Sequence, residues 1–85
     1  MALAIESVEA RIEWCRQQKA RAGQRIDKEG WHAEAEGLRD ALLSEDHSSL
    51  YRDCAPTVFE RYVMGLQDGR ALVLVAVAEQ QHAMS

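Results

Sequence analysis

Residues 71–78 form an uninterrupted apolar run, Ala-Leu-Val-Leu-Val-Ala-Val-Ala, near the C-terminal end of a chain of 85 residues. A helix needs about 20 apolar residues to cross a bilayer, so this run is too short to span a membrane. In water, its side chains have to be buried on every side. A domain of about 60 residues buries only about 60% of its unfolded surface, and this chain will bury only slightly more. The run therefore predicts either the central helix of a compact bundle or a contact with a second chain.

The composition favours a single all-α domain that spans residues 1–85. Apolar residues make up 47% of the chain and charged residues 28%, which are ordinary values for a globular protein. Residues that favour helices dominate, and the chain has only one proline and five glycines. We therefore expect a small bundle of three or four helices, built on an antiparallel helical hairpin.

The N-terminal sequence has neither the basic segment nor the apolar core of a signal peptide. We therefore expect a cytoplasmic protein without a membrane partner, in which Cys15 and Cys54 are reduced. The sequence leaves a disulfide between these two cysteines open as the alternative.

A narrow apolar seam predicts the first helix, over about residues 5–28. Its positions alternate in spacings of three and four, as residues do on one face of a helix. They are Ile5, Val8, Ile12, Cys15, Lys19, Ala22 and Ile26. Gly30 is expected to end this helix, unless Gly23 ends it earlier. A second stripe then predicts a helix over about residues 31–44 that packs against the first. It consists of Trp31, Ala35, Leu38 and Leu42.

The second half of the chain begins with a polar turn over residues 44–49, where Ser48 is expected to cap a short helical turn. Pro56 predicts the start of a third helix, over about residues 56–67, because the first helical position needs no N–H donor. The sequence Gln67-Asp68-Gly69 predicts a break, after which Asp68 caps a last helix over residues 70–82. The valines of the apolar run also fit a strand paired with residues 1–5, but the continuation into Glu79-Gln80-Gln81 favours a helix.

The charge distribution argues against general affinity for nucleic acids. The net charge is −4, whereas binding to phosphate backbones requires clustered basic residues. Residues 1–26 carry five basic and three acidic side chains, and residues 27–46 carry two basic and seven acidic ones. A regulatory protein that binds nucleic acid through the first helix is the alternative function. Its basic residues are Arg11, Arg16, Lys19, Arg21 and Arg25, spread around the circumference of that helix.

The residues that could carry chemistry lack the spacings that chemistry requires. The possible metal ligands are His32, His47, His82, Cys15 and Cys54, and none of them form a C-x-x-C, H-x-x-x-H or H-E-x-x-H pair. Cys54 near a helix start, with His47 as its base, is a candidate nucleophile, but a small buried apolar side chain is the simpler interpretation. The clustered carboxylates are expected on a solvated face. They are Glu34, Glu36, Asp40, Glu45 and Asp46. We expect no catalytic residues, metal or cofactor.

Trp14 lies away from the seam of the first helix, where it is either a second intramolecular contact or an anchor for a partner. The other candidate residues for a partner or dimer interface are Leu72, Val73, Leu74, Val75 and Val77. Because small chains gain core by pairing, we expect a homodimer. The expected function is that of a non-enzymatic protein-interaction module. Small acidic helical proteins of this size class include bacterial and phage-encoded regulators that inhibit a larger bacterial protein.

Overall fold

The computed structural model describes the backbone of residues 2–84 and the side chains of residues 6–75, 77 and 78. Residues 2–84 form four helices and no strand, which confirms the all-α prediction. The helices are α1 (Ala2–Arg21), α2 (Arg25–Leu43), α3 (Ser48–Tyr51) and α4 (Pro56–Met84). Within this described part of the chain, no helix combines the length and apolar character needed to cross a membrane.

The predicted antiparallel hairpin is formed by α1 and α2, but its turn comes earlier than the main prediction placed it. The first helix ends at Arg21 and α2 begins at Arg25, so the alternative break around Gly23 is the correct one. Gly30 does not end a helix. It lies buried inside α2, where a Cβ atom would stand 3.4 Å from Cγ of Arg61. The position is a close contact with α4 rather than a C-terminal cap.

The helices α2 and α4 run parallel, with their backbones in direct contact. A Cβ atom at Gly37 would overlap the carbonyl of Tyr62, and one at Gly65 would overlap the carbonyl of Glu34. Further along both helices, a Cβ atom at Gly69 would stand 2.6 Å from that of Ala41. Glycine in a helix costs about 1 kcal/mol relative to alanine, so these glycines weaken each helix alone and allow the two helices to pack closely.

The predicted break at Gln67-Asp68-Gly69 is wrong, because α4 continues without interruption from Pro56 to Met84. Gly69 faces α2 as part of the close contact, and Asp68 accepts a hydrogen bond from Arg11 Nη2 at 3.3 Å instead of capping a new helix. The start at Pro56 and the helical state of the apolar run are both confirmed.

Because α2 and α4 are parallel, residues 44–55 return the chain toward the start of α4. Ser44 ends α2 in the left-handed conformation, with φ at 56°, and Glu45 N–H donates to the Asp40 carbonyl at 2.8 Å. Ser48 is the first residue of α3 rather than its cap, and its N–H donates to Asp46 Oδ1 at 2.8 Å. The connection is held to α4 by Tyr51, whose ring stacks on Tyr62 at 4.4 Å between centroids.

Among the side chains that the structure describes, two apolar clusters form the core, one on each side of α2. The α2–α4 cluster contains Ala33, Ala41, Val58, Tyr62 and Leu66. The α1–α2 cluster contains Val8, Cys15 and Leu38, with Ile12, Trp31, Ala35, Leu42 and Leu72 packed against it. The α1 seam and the α2 stripe therefore pack as predicted. Lys19 and Ile26 of the predicted seam are exposed, and the side chain of Ile5 lies outside the described residues.

Candidate interaction surface

The apolar run lies on the part of α4 that passes the end of α2. Ala41, Ser44, Val73 and Leu74 line one surface depression, so α2 ends beside the middle of the run. Within the single chain, Leu74 is 69% exposed, Val75 56% and Val77 40%. The central-helix interpretation is therefore wrong, because the other helices do not surround this segment.

The remaining residues of the run differ in their surroundings. Leu72 is half-buried and packs against the α1–α2 cluster, and Val73 is half-buried as well. The alanines at 71 and 78 are exposed. Two of the five predicted contact residues in this run thus contribute partly to the fold, and the other three face outward.

One narrow seam runs along the solvent side of α4. We call this surface the outer face of α4, and its residues are Met64, Gln67, Ala71, Leu74 and Ala78, all of them exposed. Their spacings of three and four place them on one side of the helix, which is the pattern by which helices pack in pairs. This seam could not be recognised from the sequence, because residues 71–78 are apolar on every side of the helix. Gly65 and Gly69 lie on the opposite side of α4, which packs against α2.

Trp14 is 43% exposed and makes the intramolecular contact that was one of its two predicted roles. Its ring meets that of Trp31 edge-on, with centroids 5.1 Å apart, and the Arg11 guanidinium lies 5.5 Å from its centroid. The Arg61 guanidinium lies over the Trp31 ring, 4.2 Å from the ring centroid. Position 61 precedes Leu74 by about 20 Å along α4, given a rise of 1.5 Å per residue. The structure therefore separates Trp14 from the exposed part of the apolar run.

The prediction that the clustered carboxylates are solvated is wrong for Glu34, which is only 1% exposed. Its Oε1 lies 3.2 Å from Arg61 Nη1, and its Oε2 lies 3.7 Å from Arg11 Nη2. The Cys15 thiol donates to Oε2 at 3.1 Å. Burial, reinforced by this hydrogen bond to a carboxylate, raises the pKa of Cys15 to about 12. Cys15 is therefore a protonated donor within the core rather than a nucleophile.

Asp40 is the second buried carboxylate, at 3% exposure, and its predicted outward orientation is also wrong. The Tyr62 hydroxyl donates to Asp40 Oδ2 at 2.5 Å and accepts the His47 N–H at 2.7 Å. The His47 Nδ1 atom lies 3.0 Å from the same Oδ2. Burial and the Asp40 hydrogen bond raise the pKa of Tyr62 to about 12, and the Asp40 carboxylate raises the pKa of His47. The sequence did not predict that either carboxylate is buried, because the partners that cover them lie on other helices or beyond the end of α2.

Cys54 is an exposed free thiol, which contradicts the buried position expected for it. It lines a cavity of about 450 Å³ with Lys19, Lys28 and His32, and its sulfur lies 4.0 Å from the Leu50 carbonyl. His47, the base considered for this thiol, contacts Asp40 instead. Cys15 is also a free thiol, so the disulfide alternative is not formed.

No family model, curated protein or solved structure matches this chain. Its function is therefore inferred from its own surfaces, of which the outer face of α4 carries the exposed Met64 and Leu74.

Proposed function

We propose that this chain is a non-enzymatic protein-interaction module that pairs with a second copy of itself through the outer face of α4. The observation that carries the proposal is the exposure of Leu74 on this face and of Val75 and Val77 on its two flanks, where α4 has passed the end of α2. Fully burying one Leu side chain is worth about 1.5–3 kcal/mol, and a two-fold contact covers Leu74 of both chains.

A second copy suits this seam because the side-chain sizes along it are self-complementary. When two α4 helices pack antiparallel about a two-fold axis between Ala71 and Leu74, the small Ala71 of one chain faces the larger Leu74 of the other. The same axis brings Gln67 opposite the small Ala78. A two-fold interface repeats each of these contacts, as isologous interfaces require. Large residues facing small ones allow close approach of the two helices.

Trp14 is the second candidate contact, and we assign it to a larger target protein. It lies level with Arg61, about 20 Å along α4 from Leu74, so a contact centred between Ala71 and Leu74 leaves it at the periphery. Aromatic side chains that are half exposed on a rigid support are frequent anchors of interfaces. In this proposal, the dimer regulates or inhibits a larger bacterial protein that it contacts through Trp14.

The nucleic-acid alternative has less support in the arrangement of the basic side chains. Arg11 pairs with Glu34 and Asp68, and Arg16 pairs with Glu13 at 3.6 Å. Because neighbouring carboxylates offset these charges, α1 presents a mixed surface rather than a basic one.

The test is the mass in solution across dilution, measured by light scattering, with a matched pair of substitutions. Leu74→Glu changes the outer face, and Leu50→Glu makes the same change at another exposed leucine, on α3. We expect the parent and Leu50→Glu to have twice the 9.6 kDa chain mass and Leu74→Glu to have the chain mass. A parent protein that stays at the chain mass at all concentrations contradicts the proposal. So does a Leu74→Glu variant that pairs as tightly as the parent.

A further inference from the structure

Three side chains that can bind metal converge where α2 ends. They are Asp40, Glu45 and His47, and one ligand atom from each lies within 4.8 Å of the other two. Asp40 Oδ2 and His47 Nδ1 are 3.0 Å apart. We propose that this turn binds a divalent transition-metal ion and that Zn²⁺ is the ion it fits best.

The donor set favours zinc over the harder cations. One imidazole nitrogen and two carboxylate oxygens are ligands that zinc accepts at about 2.0–2.2 Å, in a tetrahedral arrangement. Two such ligands are about 3.3 Å apart, which is close to the existing separation of Asp40 and His47. Calcium usually takes six to eight oxygen ligands, more than these side chains offer. A water molecule would complete the coordination, as in zinc sites with three protein ligands.

Asp40 is held in place by a hydrogen bond that does not depend on the ion. The buried Tyr62 hydroxyl donates to its carboxylate and accepts the main-chain N–H of His47. One α4 side chain thereby positions a carboxylate of α2 and the backbone of the turn at the same time. Hydrogen bonds of this kind orient metal ligands and strengthen metal binding. Glu45 is exposed and can close on the ion by rotating its side chain.

The charge around the turn also suits a cation. The free carbonyls at the C-terminal end of α2 carry partial negative charge, and Asp40, Glu45 and Asp46 add three carboxylates there. Among the described residues, Arg70 pairs with Asp46 at 3.7 Å, whereas Asp40 and Glu45 have only His47 as an ion-pair partner. A bound dication would therefore offset a local excess of negative charge.

The sequence offered no metal-binding pair, and it grouped His47 with Cys54 only as the base of a candidate nucleophile. The fold brings His47 to Asp40, seven residues before it, because the left-handed Ser44 turns the chain back across the end of α2. The spacing of the three ligands matches no standard zinc motif, so only the turn geometry reveals them.

The test is a titration with Zn²⁺ in a Cys54→Ser parent, which removes the exposed thiol as a competing ligand. Affinity is measured by competition with a chromogenic chelator, and coordination is followed by the visible absorption of bound Co²⁺. We expect one ion per chain, and we expect His47→Gln to weaken zinc binding by at least about 10-fold. Glu45→Gln is expected to weaken binding in the same direction. Asp53→Asn, at an exposed position, and His32→Gln are the matched controls and are expected to leave the affinity unchanged.

Thermal unfolding provides the second measurement. Zinc is expected to raise the melting temperature of the parent and not that of His47→Gln, because a ligand stabilises only the state that binds it. If His47→Gln does not fold, the Glu45→Gln variant tests the proposal in its place. The Glu45 side chain is exposed and makes no buried contact, so this change is expected to leave the fold intact. The proposal is overturned if the parent binds no zinc, if Glu45→Gln and any folded His47→Gln bind it as the parent does, or if the two controls weaken binding equally.

Discussion

Arg61 of α4 places its Nη1 atom 3.2 Å from Oε1 of Glu34, at the centre of the contact between α2 and α4. The same guanidinium stacks on Trp31, and Glu34 also accepts from Cys15 of α1. One buried carboxylate thus connects three helices. A buried charge is tolerated only when it is paired and hydrogen-bonded, so this network specifies how the helices meet.

Arg61→Met is expected to destabilise the protein at the lower end of the range of about 3–5 kcal/mol found for breaking a buried pair. The methionine keeps an apolar chain over Trp31 but leaves the more distant Arg11, at 3.7 Å, as the cationic partner of Glu34. Chemical denaturation measures the change. Arg52→Met, at an exposed position, is the control and is expected to stay within about 0.5 kcal/mol of the parent. Equal stabilities for both variants would contradict the role given to the ion pair.

Gly65→Ala is expected to destabilise the fold by about 1–3 kcal/mol or more, because the new Cβ meets the Glu34 backbone. Gly23→Ala is the matched control, since a Cβ there meets nothing within 4 Å. That change is expected to be neutral or stabilising by up to about 1 kcal/mol. Denaturation midpoints of the two variants test the close packing of α2 on α4, and a Gly65→Ala protein as stable as Gly23→Ala would refute it.

The two thiols are expected to react at very different rates with an alkylating reagent under native, mildly alkaline conditions. Cys54 is exposed, whereas Cys15 is buried and has its pKa raised to about 12. Mass spectrometry of peptides should find label on Cys54 and almost none on Cys15 until denaturant is added. Equal labelling of both cysteines in the folded protein would show that the α1–α2 contact is open.

Tyr62 is expected to make stability fall at high pH. Folding raises its pKa from 10.0 to about 12, so the folded state favours the neutral phenol. Its contribution is complete below pH 10.0 and is lost as the pH rises toward about 12. Tyr62→Phe should reduce this slope and lower stability at neutral pH by about 1–3 kcal/mol, since Asp40 loses a donor.

Denaturation across that pH range measures both effects of Tyr62. The comparison is made with Cys15→Ala in both proteins, because this thiol titrates over the same range. Identical slopes with and without the Tyr62→Phe change would assign the pH dependence to other groups.

The helices themselves followed from local patterns in the chain. Three local signals indicated the helices: the three-and-four spacing around Val8 and Cys15, the stripe from Trp31 to Leu42, and the proline at position 56. Each signal involves residues within one or two turns of the same helix. Propensity and amphipathicity therefore predicted them without knowledge of any neighbour. The left-handed conformation of Ser44 and the first residue of α2 were harder to predict, because several nearby residues support alternative helix boundaries.

The roles of Gly65, Gly69, Glu34 and Asp40 depended on which helix lies opposite each of them. A glycine breaks a helix or permits a close contact, and a carboxylate is solvated or buried, according to partners on another helix, 19 or more residues away in the chain. The parallel path of α4 decided these partners, and it also carried the apolar run past the end of α2. Sequence periodicity describes one helix at a time, whereas the burial of a side chain depends on how all the helices pack together.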